Sequence, residues 1–531
     1  MDIFPIKSYY NKDEEVTLKV VFEGEIKPQK ANLKVRHLDE LILETKTQIG
    51  EDGEIRIPLN FEPGRAYYLE AAFENGKKEG CAFEVLEKPE ILRYGFLSDF
   101  DSSDADDSDI ETMTAHHINM VQYYDWSYRH DSLVAADDEY VDMMGKTISK
   151  PVVLRKIREC KKRRLLSIGY GAVYAAGKEF AETHKEWRLY ARPDSPIRFI
   201  DVFSIMNLDS DWEKHIIEQY KNAMEKMGFD GIHMDTYGFP KTAYDQKGET
   251  IYLEEGFEKL IKDVREQLTD GTFVFNNVGN WPVNIAGKCP VDAVYIEVWP
   301  PYESFTELRE LILNAKRYGK PVIIAAYPKS FRTDTMERAM RSQIITMCGI
   351  NFLGATQLFF GEKNAVLTQG YYSDYTVIKD EDERALRKYD DFFTRYEEII
   401  FDKELVDVSM THAYGDNHEY SFSGNTSPNG RAGTLWTIIR ESRKRKAIFF
   451  INLCGNDNLW NEGKEEPLLQ EKVEVTVQSF GKAQKILYAS PDEKEGNVIE
   501  PHHEYLRFPE GDAVKILIPK IKYAGMLLIE Y

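Results

Sequence analysis

Hydrophobic and polar residues follow three successive patterns along this chain of 531 residues. From residue 16 to about residue 85, short segments such as VTLKVVF and EIRIPLNF alternate residue by residue, and turn-forming Gly, Pro, Asn and Asp residues separate them. Alternation with a period of two between turn signals is typical of antiparallel strands. The first pattern predicts an immunoglobulin-like β-sandwich over residues 1–90, in which no motif for chemistry occurs.

Between residues 91 and 400, short apolar runs alternate with longer amphipathic stretches. The stretches DWEKHIIEQYKNAMEKMG and GFEKLIKDVREQLTDG place apolar residues three and four positions apart and end in Gly, as surface helices do. Eight apolar runs are predicted as strands: YGFLSD (94–99), INMVQYY (118–124), LLSIGY (165–170), GIHMD (231–235), TFVFNN (272–277), AVYIEV (293–298), PVIIAAY (321–327) and NFLGATQLF (351–359). Eight such units match a closed (β/α)8 barrel, which usually takes about 250 residues.

A doubly wound open sheet is the alternative fold for the same alternation. Because no GxGxxG or GxxxxGK[ST] loop follows any of the eight runs, the barrel is favoured. From residue 401 to residue 531, alternation by two returns in segments such as KAIFFINLC and KVEVTVQSF and predicts a second antiparallel β-sandwich. The predicted fold is therefore α/β, a (β/α)8 TIM barrel flanked by two β-sandwiches.

Charge and cysteine content exclude several classes of partner. With 68 Lys and Arg against 90 Asp and Glu, the formal net charge is −22, so neither nucleic acid nor an anionic membrane is expected as a partner. Five scattered cysteines without CxxC spacing indicate neither a zinc site nor a disulfide framework, and the acidic run DFDSSDADDSD lacks the EF-hand pattern. No metal and no other cofactor is expected. The oligomeric state is left open.

The start of the chain, MDIFPIKSYYNKDEE, lacks the basic and apolar regions of a signal peptide. No apolar run reaches the length of about 18 residues that a transmembrane helix requires. The free cysteines fit a reducing compartment. We therefore expect a cytoplasmic protein, or a secreted one if a leader has been removed.

Two carboxylates stand where barrel enzymes carry their chemistry, at the carboxyl ends of strands. Strand 4 ends in HMDTYG and places Asp235 at the rim, and strand 6 reads YIEVWPP and places Glu297 near its end. Two carboxylates on one cleft suit cleavage of a glycosidic bond, if one is ionised and the other protonated. Each also has a structural explanation, since Asp235 could cap the next helix and Glu297 could belong to a buried pair.

Aromatic and polar residues gather at the same predicted rim. Sugar rings stack on aromatic side chains, while carboxylate and amide groups form paired hydrogen bonds with neighbouring hydroxyls. Any one of these residues is more often a packing residue, but their joint position at strand ends favours ligand binding. The predicted substrate-binding residues are Tyr124, Asp125, Trp126, Tyr174, Asn276, Asn277, Trp299, Tyr327 and Gln357.

The segments GFLSDF, NMVQYYDW, MNLDSDW, GFDGIHMDTYG and YIEVWPP resemble glycoside hydrolase family 66, the dextranases and cycloisomaltooligosaccharide glucanotransferases. The resemblance runs from about Tyr94 through strand 8, and the order of the flanking β-domains also matches. It implies a retaining mechanism on α-1,6-linked glucan, with Asp235 as nucleophile and Glu297 as acid/base. Retention implies carboxyl groups about 5 to 5.5 Å apart.

The family divides by what attacks the covalent intermediate. Water gives a dextranase, whereas the 6-hydroxyl at the far end of the same chain closes a ring. Cyclising members resemble this chain with a carbohydrate-binding module inserted in the barrel, and the connections after strands 6, 7 and 8 are too short to hold one here. We therefore expect an endo-acting dextranase acting on α-glucan, with a glucanotransferase and a non-catalytic glucan-binding barrel as the alternatives.

Overall fold

The structure is a computed structural model that describes residues 1–22, 29–57, 61–479, 481–493, 498–509 and 511–531. Eight parallel strands form its central sheet, each beside the next in chain order. They are β1 (Tyr94–Leu97), β2 (Met120–Tyr123), β3 (Leu166–Ala172), β4 (Gly231–Asp235), β5 (Thr272–Val278), β6 (Ala293–Glu297), β7 (Val322–Ala325) and β8 (Thr356–Gln357). The sheet closes where the Phe96 amide donates to the Phe360 carbonyl at 3.2 Å, so the predicted barrel is confirmed.

Helices connect the barrel strands and cover the outside of the sheet. They are α1 (Ser108–Ala115), α2 (Lys150–Lys162), α3 (Lys178–Thr183), α4 (Trp212–Met227), α5 (Leu253–Gln267), α6 (Val283–Ala286), α7 (Phe305–Lys316), α8 (Ser330–Thr333), α9 (Met336–Phe352), α10 (Asp380–Arg395) and α11 (Glu397–Ile400). Ser304 and Glu307 form a capping box that begins α7 directly after the loop from β6. In the described ranges, no helix is both long and apolar enough to cross a membrane.

The N-terminal sandwich has two antiparallel sheets around an apolar core. One sheet contains Asp2–Pro5, Val16–Val21 and Glu54–Ile57, and the other contains Gln29–His37, Glu40–Ile49, Arg65–Phe73 and Lys78–Val85. The sequence pattern missed Glu40–Ile49, because this edge strand is exposed or half-buried along almost its whole length and carries little apolar signal. The sandwich contacts the barrel at α10, where the Asp391 carboxylate accepts from the Ala82 amide at 2.7 Å.

The C-terminal sandwich also has two sheets. One contains Val406–Asp407, Thr426–Ser427, Leu435–Glu441, Arg445–Asn452, Lys485–Ala489 and Ala524–Glu530, and the other contains Tyr420–Phe422, Gln470–Gln478, His503–Phe508 and Gly511–Ile521. The apolar run near the C-terminus is two strands in different sheets, since the chain turns after Ile521. The domain limits at residues 90 and 400 stay predictions.

Several connections on the carboxyl side of the barrel carry short strands of their own. Those after β2 and β8 form two-stranded ribbons, Glu139–Val141 with Thr147–Ser149 and Ala365–Val366 with Thr376–Val377. Those after β3 and β4 form two small sheets, one with Ala175–Gly177, Arg198–Phe199 and Phe203–Ile205, the other with Tyr190–Arg192, Ser195–Pro196, Thr242–Tyr244 and Thr250–Tyr252. Because packed side chains such as Ile168, Val274 and Ile323 fill the barrel interior, these connections surround a cleft above a closed floor.

Candidate active site

A cavity of about 890 Å³ opens at the carboxyl end of the barrel. Asp235 and Glu297 line it, each as the last residue of its strand. Strand β5 lies between β4 and β6, and in its register Phe275 pairs with Met234 while Val278 pairs with Glu297. The parallel sheet therefore brings two carboxylates to the same end of the barrel with one strand between them.

The side-chain amide of Asn276, on β5, joins the two carboxylates. Its Nδ2 atom donates to Asp235 Oδ1 at 2.7 Å and to Glu297 Oε2 at 2.8 Å. Since both oxygens accept hydrogen bonds from the same nitrogen, the distance between them cannot exceed the sum of the two hydrogen-bond distances, about 5.5 Å. Retaining glycosidases hold their carboxyl groups about 5 to 5.5 Å apart, whereas inverting ones need about 6.5 to 9.5 Å.

Two tyrosine hydroxyls complete the hydrogen bonds of the pair. Tyr170 donates to Asp235 Oδ2 at 2.7 Å, and Tyr327 donates to Glu297 Oε1 at 2.9 Å. Burial raises the pKa of Asp235 to about 6, although the hydrogen bonds from Asn276 and Tyr170 favour its ionised form. Burial, and after it the nearby charge of Asp235, raises the pKa of Glu297 to about 7. At a pH between these two values, Glu297 is therefore the carboxyl group that holds a proton, while Asp235 is ionised.

Aromatic rings form one side of the cleft, next to Asp235. Tyr237 stacks on Phe199 with ring centroids 4.2 Å apart, and Phe203 stacks on His130 at 4.5 Å. Burial lowers the pKa of His130 to about 4, so its imidazole is neutral near pH 7. We call these four residues the aromatic wall. It comes from the connections that follow β2, β3 and β4.

The connection after β8 covers another part of the cleft. Tyr372 stacks on Tyr124 at 4.4 Å, and its hydroxyl lies 2.8 Å from that of Tyr295 inside the barrel. A β-carbon at Gly370 would lie 3.1 Å from the Trp299 indole and 3.3 Å from Glu297 Oε1. The connection therefore approaches the acid/base candidate as closely as its backbone allows.

Asp125 takes part in a polar network at the same edge. The Ser373 hydroxyl donates to Asp125 Oδ2 at 2.6 Å, and Lys146 Nζ donates to Ser373 Oγ at 2.8 Å and to Asp99 Oδ1 at 3.1 Å. Burial raises the pKa of Asp125 to about 6. This network connects the ends of β1 and β2 to the connection after β8, so it fixes the rim of the cleft.

Five of the predicted substrate-binding residues lie at this site. Tyr124, Asp125, Trp299 and Tyr327 line the cavity, and their contact with sugar stays a prediction. Asn276 lies at the site as well, but both hydrogens of its amide serve the two carboxylates. Its place is between the catalytic candidates rather than on a sugar hydroxyl.

Two aromatic predictions are wrong, because both side chains are buried away from the cleft. Trp126 has no exposed surface, its ring packs on Phe229 at 4.6 Å, and its indole donates to the Tyr170 carbonyl at 3.1 Å. Tyr174 is 1% exposed, and its hydroxyl donates to the Phe239 carbonyl and accepts from the Tyr237 amide. Both rings pack in the core behind the strand ends, so they support the cleft from outside.

Two amide predictions are also wrong. Asn277 follows Asn276 in β5 and therefore points to the other face of the strand, where its amide donates to the Tyr295 carbonyl at 2.8 Å. Gln357 donates to the Ala326 carbonyl and accepts from Gln343 in a small separate cavity. Neither residue lines the cleft.

Sequence reasoning missed residues that reach the cleft from distant segments. Among them are His130, Phe199, Phe203, Tyr237, Gly370, Tyr371, Trp460 and Asn461. Trp460 and Asn461 belong to the C-terminal sandwich, and the segment NDNLWNEG (456–463) breaks the alternation there, which is the signal that the sequence offers for this loop. All five cysteines are buried and free, and no metal-binding group of three or more His, Cys, Asp or Glu occurs among the described residues.

A closed barrel whose carboxyl end carries two carboxylates within about 5.5 Å has the architecture of a glycoside hydrolase. The chain belongs to glycosyl hydrolase family 66, whose family model matches residues 5–528. The expected family is thereby confirmed. Its members include glucan-processing enzymes, among them the relatives that align with this chain.

Two relatives are cycloisomaltooligosaccharide glucanotransferases of Niallia circulans. One is 21% identical over 598 residues, covering 82% of this chain and 62% of that protein, and the other is 19% identical over 697 residues, covering 99% and 71%. A dextranase of Streptococcus salivarius is 23% identical over 381 residues, covering 60% of this chain and 46% of that protein. The chain thus spans 62% of the first relative's length.

Solved structures share the fold. A Paenibacillus sp. cycloisomaltooligosaccharide glucanotransferase complexed with cycloisomaltoheptaose gives a TM-score of 0.90 at 18% identity, with 99% of both chains covered. An α-amylase from Geobacillus thermoleovorans complexed with acarbose gives a TM-score of 0.53 at 10% identity, with 83% of this chain and 98% of that chain covered. The barrel and both flanking sandwiches are therefore an arrangement shared with the glucanotransferase.

Proposed function

We propose that this protein is a retaining endo-hydrolase of α-1,6-glucosidic links in dextran or isomalto-oligosaccharides. The observation that carries the proposal is the Asn276 amide, which limits the distance between Asp235 Oδ1 and Glu297 Oε2 to about 5.5 Å. Membership of family 66 supports glucan as the substrate class. The isomaltooligosaccharide bound to the structurally similar glucanotransferase supports the α-1,6 linkage.

In this mechanism Asp235 attacks the anomeric carbon and Glu297 protonates the departing glycosidic oxygen. The C–O bond to the leaving sugar breaks as the C–O bond to Asp235 forms, which gives a covalent glycosyl-enzyme. Tyr170 and Asn276 orient Asp235, and Tyr327 orients Glu297. Glu297 then takes a proton from water, whose oxygen attacks the anomeric carbon and releases Asp235.

The electrostatics of the pair support this change of role. Asp235 loses its negative charge when it becomes an ester, so one of the causes that raise the pKa of Glu297 disappears. Glu297, which has just given up its proton, is then stable as a carboxylate. It can act as a general base in the second half of the reaction.

Two observations favour hydrolysis over ring closure. The connections after β6 and β7 are confined to residues 298–304 and 326–329, which leaves no room there for an inserted module. The alignment with one glucanotransferase has 697 positions, whereas this chain has only 531 residues. At least 166 positions, the difference, are therefore occupied by residues of the glucanotransferase that have no counterpart in this chain. Cyclisation is the second candidate, because two of the aligned relatives carry that name.

Product analysis tests linkage and outcome together. We expect dextran, but not starch, to yield linear isomalto-oligosaccharides, and early proton NMR to detect the α-anomer first. Predominantly cyclic products would favour the glucanotransferase, and a β-anomer first would contradict the retaining mechanism. Binding of dextran without any turnover would favour the non-catalytic alternative.

A further inference from the structure

A loop of the C-terminal sandwich, residues 456–465, forms part of the cleft wall. Trp460 and Asn461 from this loop line the same cavity as Asp235 and Glu297. The loop lies more than 150 residues after Glu297 in the chain, so the cleft is built from two domains. We call residues 456–465 the sandwich loop.

The sandwich loop is fixed to the barrel by main-chain hydrogen bonds. The Trp460 amide donates to the Glu303 carbonyl at 3.2 Å, and the Phe305 amide donates to the Asn458 carbonyl at 2.8 Å. The Trp460 indole donates to the Tyr302 carbonyl at 2.8 Å. These partners lie in the connection after β6, the strand that carries Glu297, and at the first residue of α7, so the loop and the acid/base candidate share one support.

Side chains from the next barrel unit, which begins with β7, hold the loop as well. The Ser342 and Thr346 hydroxyls, on α9, donate to the Trp460 carbonyl at 3.2 and 3.1 Å. Lys329, after β7, pairs with Glu462 at 2.7 Å. The position of residue 461 therefore depends on contacts to two consecutive units of the barrel, those of β6 and β7.

Asn461 has an unusual environment for a polar residue. The residue as a whole is 9% exposed, it lines the cleft, and its amide forms no hydrogen bond with any residue in the described part of the chain. Neither amide atom is fully buried, so a hydrogen-bonding ligand or water in the cleft can reach both of them. The structure thus provides a donor and an acceptor on the Glu297 side of the cavity.

We infer that Asn461 binds the sugar on the leaving-group side of the scissile bond, as a positioning residue contributed by the C-terminal sandwich. In the proposed function, on which this inference rests, Glu297 protonates the oxygen of the leaving sugar, which must then lie beyond Glu297 as seen from Asp235. Trp299 and Tyr302 follow Glu297 in the chain and line the cavity, and Trp460, whose indole donates to the Tyr302 carbonyl, lines it together with Asn461. An amide that both donates and accepts fits a pair of neighbouring sugar hydroxyls.

The charges nearby fit a neutral ligand. Lys329 is neutralised by Glu462 at 2.7 Å. Trp299 is 40% exposed and offers a flat apolar face to a sugar ring. The same subsite receives a sugar acceptor in transglycosylation, so Asn461 also affects the choice between water and sugar as the second nucleophile.

The experiment compares two substrates that differ in the leaving group. In dextran the leaving group is a sugar. In α-isomaltosyl fluoride the leaving group is a fluoride ion, so no sugar occupies that side of the scissile bond. We expect Asn461→Ala to lower kcat/KM on isomalto-oligosaccharides about five- to tenfold, the effect of one or two lost neutral hydrogen bonds, and to leave the rate with the fluoride unchanged. With the fluoride as donor and isomaltose as acceptor, the ratio of transfer to hydrolysis falls.

Asn458→Ala is the matched control, because it makes the same truncation in the same loop outside the lining of the cleft. It should match the unmodified protein with both substrates. Equal losses of Asn461→Ala on both substrates, or no loss on either, would overturn the inference while leaving the proposed function intact. If the unmodified protein cleaves neither substrate, the proposed function itself fails.

Discussion

The two sides of the cleft are built by different physical means. The aromatic wall consists of rings that stack on each other, such as Tyr237 on Phe199 at 4.2 Å, and it comes from the barrel's own connections. The sandwich loop belongs to the C-terminal sandwich and is held by directed hydrogen bonds and an ion pair. Stacking tolerates small shifts, whereas hydrogen bonds weaken steeply with poor geometry. The side next to Asp235 is therefore expected to be adaptable and the side next to Glu297 to be exacting.

The largest expected effect comes from a substitution that removes the general acid and leaves both sides of the cleft in place. Glu297→Gln should lower kcat on dextran by about 10²- to 10⁴-fold, the contribution of general acid catalysis. Binding of isomalto-oligosaccharides, measured by calorimetry, should persist, which makes the contribution of each wall measurable without turnover. An activity close to that of the unmodified protein would remove Glu297 from its proposed role.

The second-largest expected effect comes from a substitution that displaces the sandwich loop. A β-carbon at Gly463 would lie 2.1 Å from Asp334 Oδ2, so Gly463→Ala must move the loop or this side chain. We expect kcat/KM on dextran to fall about tenfold, the equivalent of about 1.4 kcal/mol, while α-isomaltosyl fluoride is cleaved at the normal rate. Retained activity with both substrates would mean that the Asp334 side chain gives way and the loop stays in place.

A matched pair of truncations compares the walls directly. Phe199→Ala removes a ring on the Asp235 side, and Trp299→Ala removes one on the Glu297 side. Each should weaken oligosaccharide binding by about 1 to 3 kcal/mol if the ring contacts sugar. Only Phe199→Ala should also raise KM for α-isomaltosyl fluoride. A loss of thermal stability without a change in KM would instead indicate packing roles.

The smallest effect concerns pH. Asp235 must be ionised and Glu297 protonated, so kcat/KM should be highest between about pH 6 and about pH 7, the pKa values of the two groups. The Tyr327 hydroxyl favours ionised Glu297 and so lowers its pKa. Tyr327→Phe should therefore move the alkaline limb to higher pH and leave the acid limb in place. An alkaline limb that moves down would contradict this assignment.

The barrel and the positions of Asp235 and Glu297 could be predicted from the sequence. A parallel strand is a short apolar run, and the first polar residue after it marks the end of the strand, where Asp235 and Glu297 lie. The direction in which each side chain points could be predicted less well from the sequence. Asn276 and Asn277 are neighbours, but one joins the carboxylates and the other points out of the cleft, since successive side chains of a strand face opposite sides. Trp126 failed in the same way, as a residue just past a strand end can turn into the core.

Contacts between distant segments could not be predicted at all. Asn461 is far from the barrel in sequence, and no local periodicity records that its loop contacts the connection after β6. The sequence did not indicate a role for Gly370 either. Its role is to leave room, since a β-carbon there would lie close to Trp299 and Glu297. These features depend on how the domains pack, which only the folded chain specifies.

Asn276 fixes the spacing between the two carboxylates from inside the barrel sheet. An amide group has two hydrogens, and both are used here, so the three adjacent strands β4, β5 and β6 carry every atom of this bridge. Loop grafting at the mouth of this barrel can therefore change which glucan is accepted while the anomeric configuration of the product stays the same. The barrel is in this respect a scaffold for new glucan specificities.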